Sequence, residues 1–223
     1  MSSPALTGAT GRLVAWLGLV GAYIALAYSS RAISGDPPGD VLYRYDTAAA
    51  GVAWYAISLV LVLLITRGPA QRDLLALRRP RSIGRAVALS VAVLVGIYAV
   101  TVALEPFLNA GKEQGLAPSG WEPERAGAYA ANFVVIAVIA PVVEELMFRG
   151  AGYSLLARFG EPAAVLLVGL LFGLVHGLIA GLVVLSIFGA TLAWLRARTN
   201  SVYPGIAVHS MFNAIALVVA VTA

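Results

Sequence analysis

Six stretches of this chain run so long without a charge that they dictate where it folds. Leu13–Ser30, Thr47–Thr66, Ala86–Leu104 and Ala126–Val143 carry no charged residue. From Pro162 to Leu195 only His176 can ionise, and from Thr199 to Ala223 only His209. A helix needs about 20 apolar residues to cross a bilayer core. The alternating pattern of a membrane β-barrel is absent. Hydrophobic residues make up 60% of the 223 and charged ones 12%, about half the charge of an ordinary soluble domain. The expected fold is all-α, a polytopic transmembrane helical bundle of about seven spans.

Those spans are expected near residues 12–33, 47–66 and 86–106, with a fourth from about 128. The Pro162–Leu195 run is too long for one crossing and short for two. It is therefore read as a hairpin turning near Gly177–Gly181, starting at about Pro162 and ending at about Arg196. A seventh helix runs from about Tyr203. The first is read as a retained helix, being longer than a signal-peptide core. The organisation divides into residues 1–127, N-terminal helices with a basic and a polar loop, and 128–223, where the chemistry collects. No internal repeat of a transporter kind is evident.

Arg67, Arg72, Arg78, Arg79, Arg81 and Arg85 fill one loop. The helix count puts Arg12, Arg149, Arg158, Arg196 and Arg198 on the same side. Arg31, Arg44, Lys112 and Arg125 fall opposite, so 11 of the 15 basic residues lie at one face. The positive-inside rule makes that face, and the N-terminus, cytoplasmic. The net charge of +4 is thus explained by topology and contact with membrane lipid, not by nucleic acid. The absence of cysteine excludes disulfides and thiolate metal ligands.

Ionisable side chains inside a bilayer are costly and point to function. Three such clusters occur. In Glu144-Glu145-Leu-Met-Phe-Arg149, Glu145 and Arg149 are four apart on a helix and can pair. Glu144 points about 100° away, leaving it to face a cavity. Pro141, one turn earlier, is expected to kink this helix. His176 lies about 21 Å along a helix starting at Pro162, level with Glu144, with Phe172 one turn before it as a wall. Gly169, Gly173, Gly177 and Gly181 form a small-residue ridge for close helix packing. His209 and Asn213 share a helix face, and two donors aimed at one point can stabilise an oxyanion. Alone, the glutamate cluster also reads as a helix end in the headgroup region, and each histidine cluster as ordinary interhelical hydrogen bonding.

Taken in order, the three clusters resemble the CPBP intramembrane proteases, also called the abortive-infection or type II CAAX prenyl endopeptidase family. The family pattern is Glu-Glu-x-x-x-Arg, then Phe-x-x-x-His, then His-x-x-x-Asn. Phe148 and Gly150 extend the match, which covers about Asn132 to Val218. The resemblance implies an intramembrane endopeptidase cutting near the cytoplasmic face. Glu144 would be the general base on a water, His176 would help position it, His209 and Asn213 would bind the oxyanion, and Arg149 would hold Glu145. It also implies a membrane-associated peptide or protein substrate, prenylated in the eukaryotic relatives. Glu144, His176 and His209 could in principle make a three-ligand zinc site. The His-Glu-x-x-His spacing is absent and Asn213 suits an oxyanion better than zinc, so a metal-free site is favoured. A non-catalytic immunity or chaperone protein and a proton-coupled transporter remain as alternatives.

Overall fold

The computed structural model describes residues 4–222 apart from 36, 109–112, 114, 117 and 119. Lys112, assigned above to the less basic face, lies outside the described residues. No strand occurs among the described residues. Helix α1 spans Pro4–Ser34, α2 Tyr45–Thr66, the short α3 Gln71–Leu74 and α4 Ile83–Leu108. A continuous helical segment follows from Pro123 to Phe159. Its regular parts are α5 (Ala126–Val134), α6 (Ala140–Glu145) and α7 (Tyr153–Leu156). Helices α8 (Glu161–Leu174), α9 (Gly181–Thr199) and α10 (Tyr203–Thr222) complete the bundle.

Among the described residues, six helices are long and apolar enough to cross a membrane. The remaining expected span, the fifth in chain order, is α8, which has 14 residues, about 21 Å at 1.5 Å per residue. The chain is a helical membrane bundle. The predicted α8–α9 hairpin turns at residues 175–180.

Local chemistry sets the helix ends. Pro162 sits in the first turn of α8, where a missing N–H costs nothing. Asn200 closes α9 in the left-handed conformation (φ 52°), a common C-terminal stop. Arg196 and Arg198 occupy the last turn of α9, where cations suit the helix dipole.

The glycine ridge is used only in part. A Cβ on Gly169 would lie 2.6 Å from the Ala190 backbone nitrogen, and one on Gly173 would meet Ser186. These two glycines bring α8 against α9. Gly177 (φ 66°) is a turn residue packed on Ala27, and Gly181 opens α9. The ridge breaks because the helix ends before Gly177.

The ends of the bundle are chemically distinct. At one end Arg12 donates to the Arg67 carbonyl, Ser201 to the Arg78 carbonyl, and Arg198 pairs with Glu161. At the other, Arg125 binds Asp40 and Glu122, Arg44 binds Asp46, and Arg31 binds Glu113. The core between them holds Trp16, Phe148, Phe172, Leu192 and Leu195.

Candidate active site

The segment bearing Glu144 and Glu145 is not a plain α-helix. Helix α6 is flanked by π-helical turns at Val135–Ile139 and Leu146–Gly152. Such turns shift side chains out of α register and recur at functional sites. Pro141 explains part of this. The Ala140 N–H bonds to the Val135 carbonyl, five residues back. The next donor in that register would be residue 141, and proline has no N–H. The Ile136 carbonyl is thereby left without its helical partner. Asn213 supplies one, donating from Nδ2 at 2.8 Å. In the second π turn, Trp16 Nε1 donates to the Met147 carbonyl at 2.9 Å.

Glu145 and Arg149 pair as their spacing predicts, Nη1 to Oε1 at 2.7 Å, and both side chains are wholly buried. A second guanidinium nitrogen donates to the Gly189 carbonyl at 3.1 Å. The Phe172 ring lies 4.2 Å from the guanidinium carbon, a cation–π contact strengthened by desolvation. His209 Nδ1 reaches the same Glu145 oxygen at 3.1 Å. A carboxylate accepts only, so this ring nitrogen carries the proton. Glycine at 205 lets α10 come this close, since any Cβ there would run into the Glu145 carboxylate.

Glu144 turns away from this pair, as the helical angle requires. Its Oε1 accepts the Tyr55 hydroxyl at 2.7 Å, and its Oε2 lies 3.8 Å from His209 Nε2. The side chain keeps 16% exposure because it lines a cavity of about 970 Å³. His176, His209, Phe172, Asn213 and Tyr55 line the same cavity. His176 Nδ1 donates to the Phe172 carbonyl at 2.7 Å, which leaves Nε2 of the neutral ring as an acceptor. A smaller cavity of about 110 Å³ also borders Glu144, His176 and Tyr55.

Five of the seven residues singled out in the sequence (Glu144, Phe172, His176, His209 and Asn213) line one cavity, and the other two, Glu145 and Arg149, are buried behind it against His209 and Phe172. Of the two expected donors, His209 faces the two glutamates, and Asn213 donates one amide N–H to the Ile136 carbonyl. Tyr55 is the neighbour that sequence reasoning missed. Its only signal was a hydroxyl inside an apolar span, and nothing linked it to Glu144.

Among the described residues no group of three His, Asp or Glu side chains is placed to hold a metal ion. The Nδ1 atoms of His209 and His176 are turned to Glu145 and to the Phe172 carbonyl, an arrangement that metal-binding histidines also adopt.

Residues 126–215 match the family described as type II CAAX prenyl endopeptidase Rce1-like. Neither the curated proteins nor the solved structures give a match. The matched span contains both π turns, the Glu-Glu-x-x-x-Arg pair and both histidines, so this part of the chain is what is similar to that family.

Proposed function

We propose that this protein is an intramembrane endopeptidase whose nucleophile is a water activated by Glu144. One observation carries the reading: of two adjacent glutamates, one is locked to Arg149 while the other faces a cavity beside a histidine with a free ring nitrogen. A buried carboxylate that is paired has no chemistry left to do. One that meets water in a confined space can take its proton.

In the proposed cycle a water sits between Glu144 and His176 Nε2. Glu144 removes one proton as the oxygen adds to the scissile carbonyl carbon. The carbonyl oxygen becomes an oxyanion. Collapse breaks the C–N bond, and the proton held by Glu144 passes to the leaving amine. The sum is amide plus water giving acid plus amine, with Glu144 regenerated. His209 donates from Nε2 to the oxyanion while Nδ1 serves Glu145, which requires both ring protons. In that form two carboxylates face one guanidinium and one imidazolium, the balance that a buried cluster needs. Asn213 adds its second amide N–H from the same helix face. Tyr55 orients Glu144. No step passes through a metal.

The proposed substrate is a membrane-associated peptide or protein, with or without a prenyl group, and the N-terminus is proposed to be cytoplasmic. Cleavage of a candidate substrate in reconstituted vesicles tests the reading. Wild type is compared with Glu144→Ala, His176→Ala and His209→Ala, each expected to lose activity. Loss on chelation with rescue by zinc would overturn the metal-free mechanism. A biological phenotype that survives in variants that cut nothing would favour the non-catalytic immunity or chaperone role.

A further inference from the structure

The cavity is strongly one-sided. It begins at mid-depth, because Tyr55 is bonded to Glu144 and sits near the middle of α2, about 15 Å from either end at 1.5 Å per residue. From there its lining is drawn from the last turns of α1 (Ala27, Ser30, Arg31), the second half of α4 (Tyr98, Thr101, Val102) and the second half of α10 (Ala216, Val219, Ala220). Leu116 and Pro118 of the polar connection join them. None of the residues from 67 to 85, nor any from 189 to 206, lines it.

That end is the less basic one. Its described arginines, Arg31, Arg44 and Arg125, each bind an acid: Glu113, Asp46, and Asp40 with Glu122. The opposite end carries Arg12, Arg67, Arg72, Arg78, Arg79, Arg81, Arg85, Arg158, Arg196 and Arg198 against Asp73 and Glu161. Basic loops stay on the cytoplasmic side.

We propose that the catalytic cavity opens on the extracytoplasmic side, so that the substrate is a peptide with an apolar stretch reached from outside the cell. Sequence alone placed cleavage near the cytoplasmic face; the space leading to Glu144 runs the other way. The mouth is braced. Glu113 accepts the N–H groups of Ile179 and Gly181 at 2.7 and 2.8 Å and pairs with Arg31 at 3.1 Å. The same turn is held to α1 by Tyr28, which donates to the Leu178 carbonyl at 3.1 Å. Because His176 enters this turn, the mouth and the water-positioning histidine share one support. The lining is mainly apolar, with the Arg31–Glu113 pair at the rim, which suits an apolar segment with a polar flank.

The access route stands on geometry and charge; that a peptide is cut there rests on the protease reading. The natural chain has no cysteine, so single thiols report cleanly. Ser30→Cys and Ala220→Cys mark the mouth, Ala216→Cys and Thr101→Cys the interior, and Ala70→Cys and Ser82→Cys the basic end. Intact cells expressing each full-length variant are treated with a membrane-impermeant maleimide, before and after permeabilisation. Mouth and interior thiols are expected to label fully in intact cells, and the basic-end thiols only after permeabilisation. The reverse pattern overturns the proposal by inverting the protein. Interior thiols that label from neither side, beside variants that still label at the mouth, overturn it by closing the route. Labelling as expected without any cleavage counts against the protease reading alone.

Discussion

Asn213 donates to the carbonyl of Ile136 at 2.8 Å, the carbonyl that Pro141 leaves without a donor. This bond ties α10 to the π turn just before Glu144. Removing it leaves a buried acceptor unsatisfied, at a cost of about 1–3 kcal/mol. Asn213→Ala is expected to lower the thermal midpoint in detergent and to slow cleavage. Pro141→Ala restores an N–H at the missing position. Combined with Asn213→Ala it should recover stability. If cleavage stays slow in that double variant, Asn213 also acts on the oxyanion; if rate and stability recover together, its role is to hold the helix.

Arg149 and Glu145 should behave as a unit. Arg149→Ala strands a wholly buried carboxylate, and breaking such a pair from one side costs about 3–5 kcal/mol. Replacing both, as Glu145→Gln with Arg149→Met, removes the stranded charge. Unfolding in detergent should show the double variant well above Arg149→Ala. Equal loss in the two would mean that the ion pair is not what holds this region.

Gly205→Ala tests the approach of α10 to α6. The added methyl meets the Glu145 carboxylate, and overpacking of this kind costs about 1–3 kcal/mol. Stability and cleavage are both expected to fall. The same exchange at Gly96, which has open space around it, should leave both near wild type.

Tyr55→Phe removes one hydrogen bond and little volume. A bond to a charged acceptor is worth about 1.5–3 kcal/mol, which sets the scale of the expected loss in kcat. KM should change little, because Tyr55 holds the proposed base and not the substrate. A change confined to KM would place Tyr55 among the substrate contacts instead.

Much of this arrangement was legible before any coordinates. The charge-free runs specified the helices, and i,i+4 spacing specified the Glu145–Arg149 pair and the outward turn of Glu144. Counting residues from Pro162 put His176 level with Glu144, because a short apolar helix has little freedom in depth. What stayed hidden depends on contacts between distant segments. Tyr55 is 89 residues from Glu144, and no periodicity in α2 points its hydroxyl there. Pro141 signalled a disturbance but not its form, since a proline is compatible with a simple kink or with the π turn found here. The partner of Asn213 followed from that unforeseen turn. The direction of the cavity depends on which helix halves diverge, and spacing along a single helix does not contain this.

The central claim is that Glu144 activates the attacking water. Glu144→Gln keeps the side-chain volume and an acceptor for Tyr55 but cannot take a proton. In reconstituted vesicles, with the variant's thermal midpoint close to wild type, the rate of substrate cleavage is expected to drop about a hundredfold or more, the scale of general-base catalysis. Cleavage of the same substrate by Glu144→Gln at the wild-type rate would contradict the account.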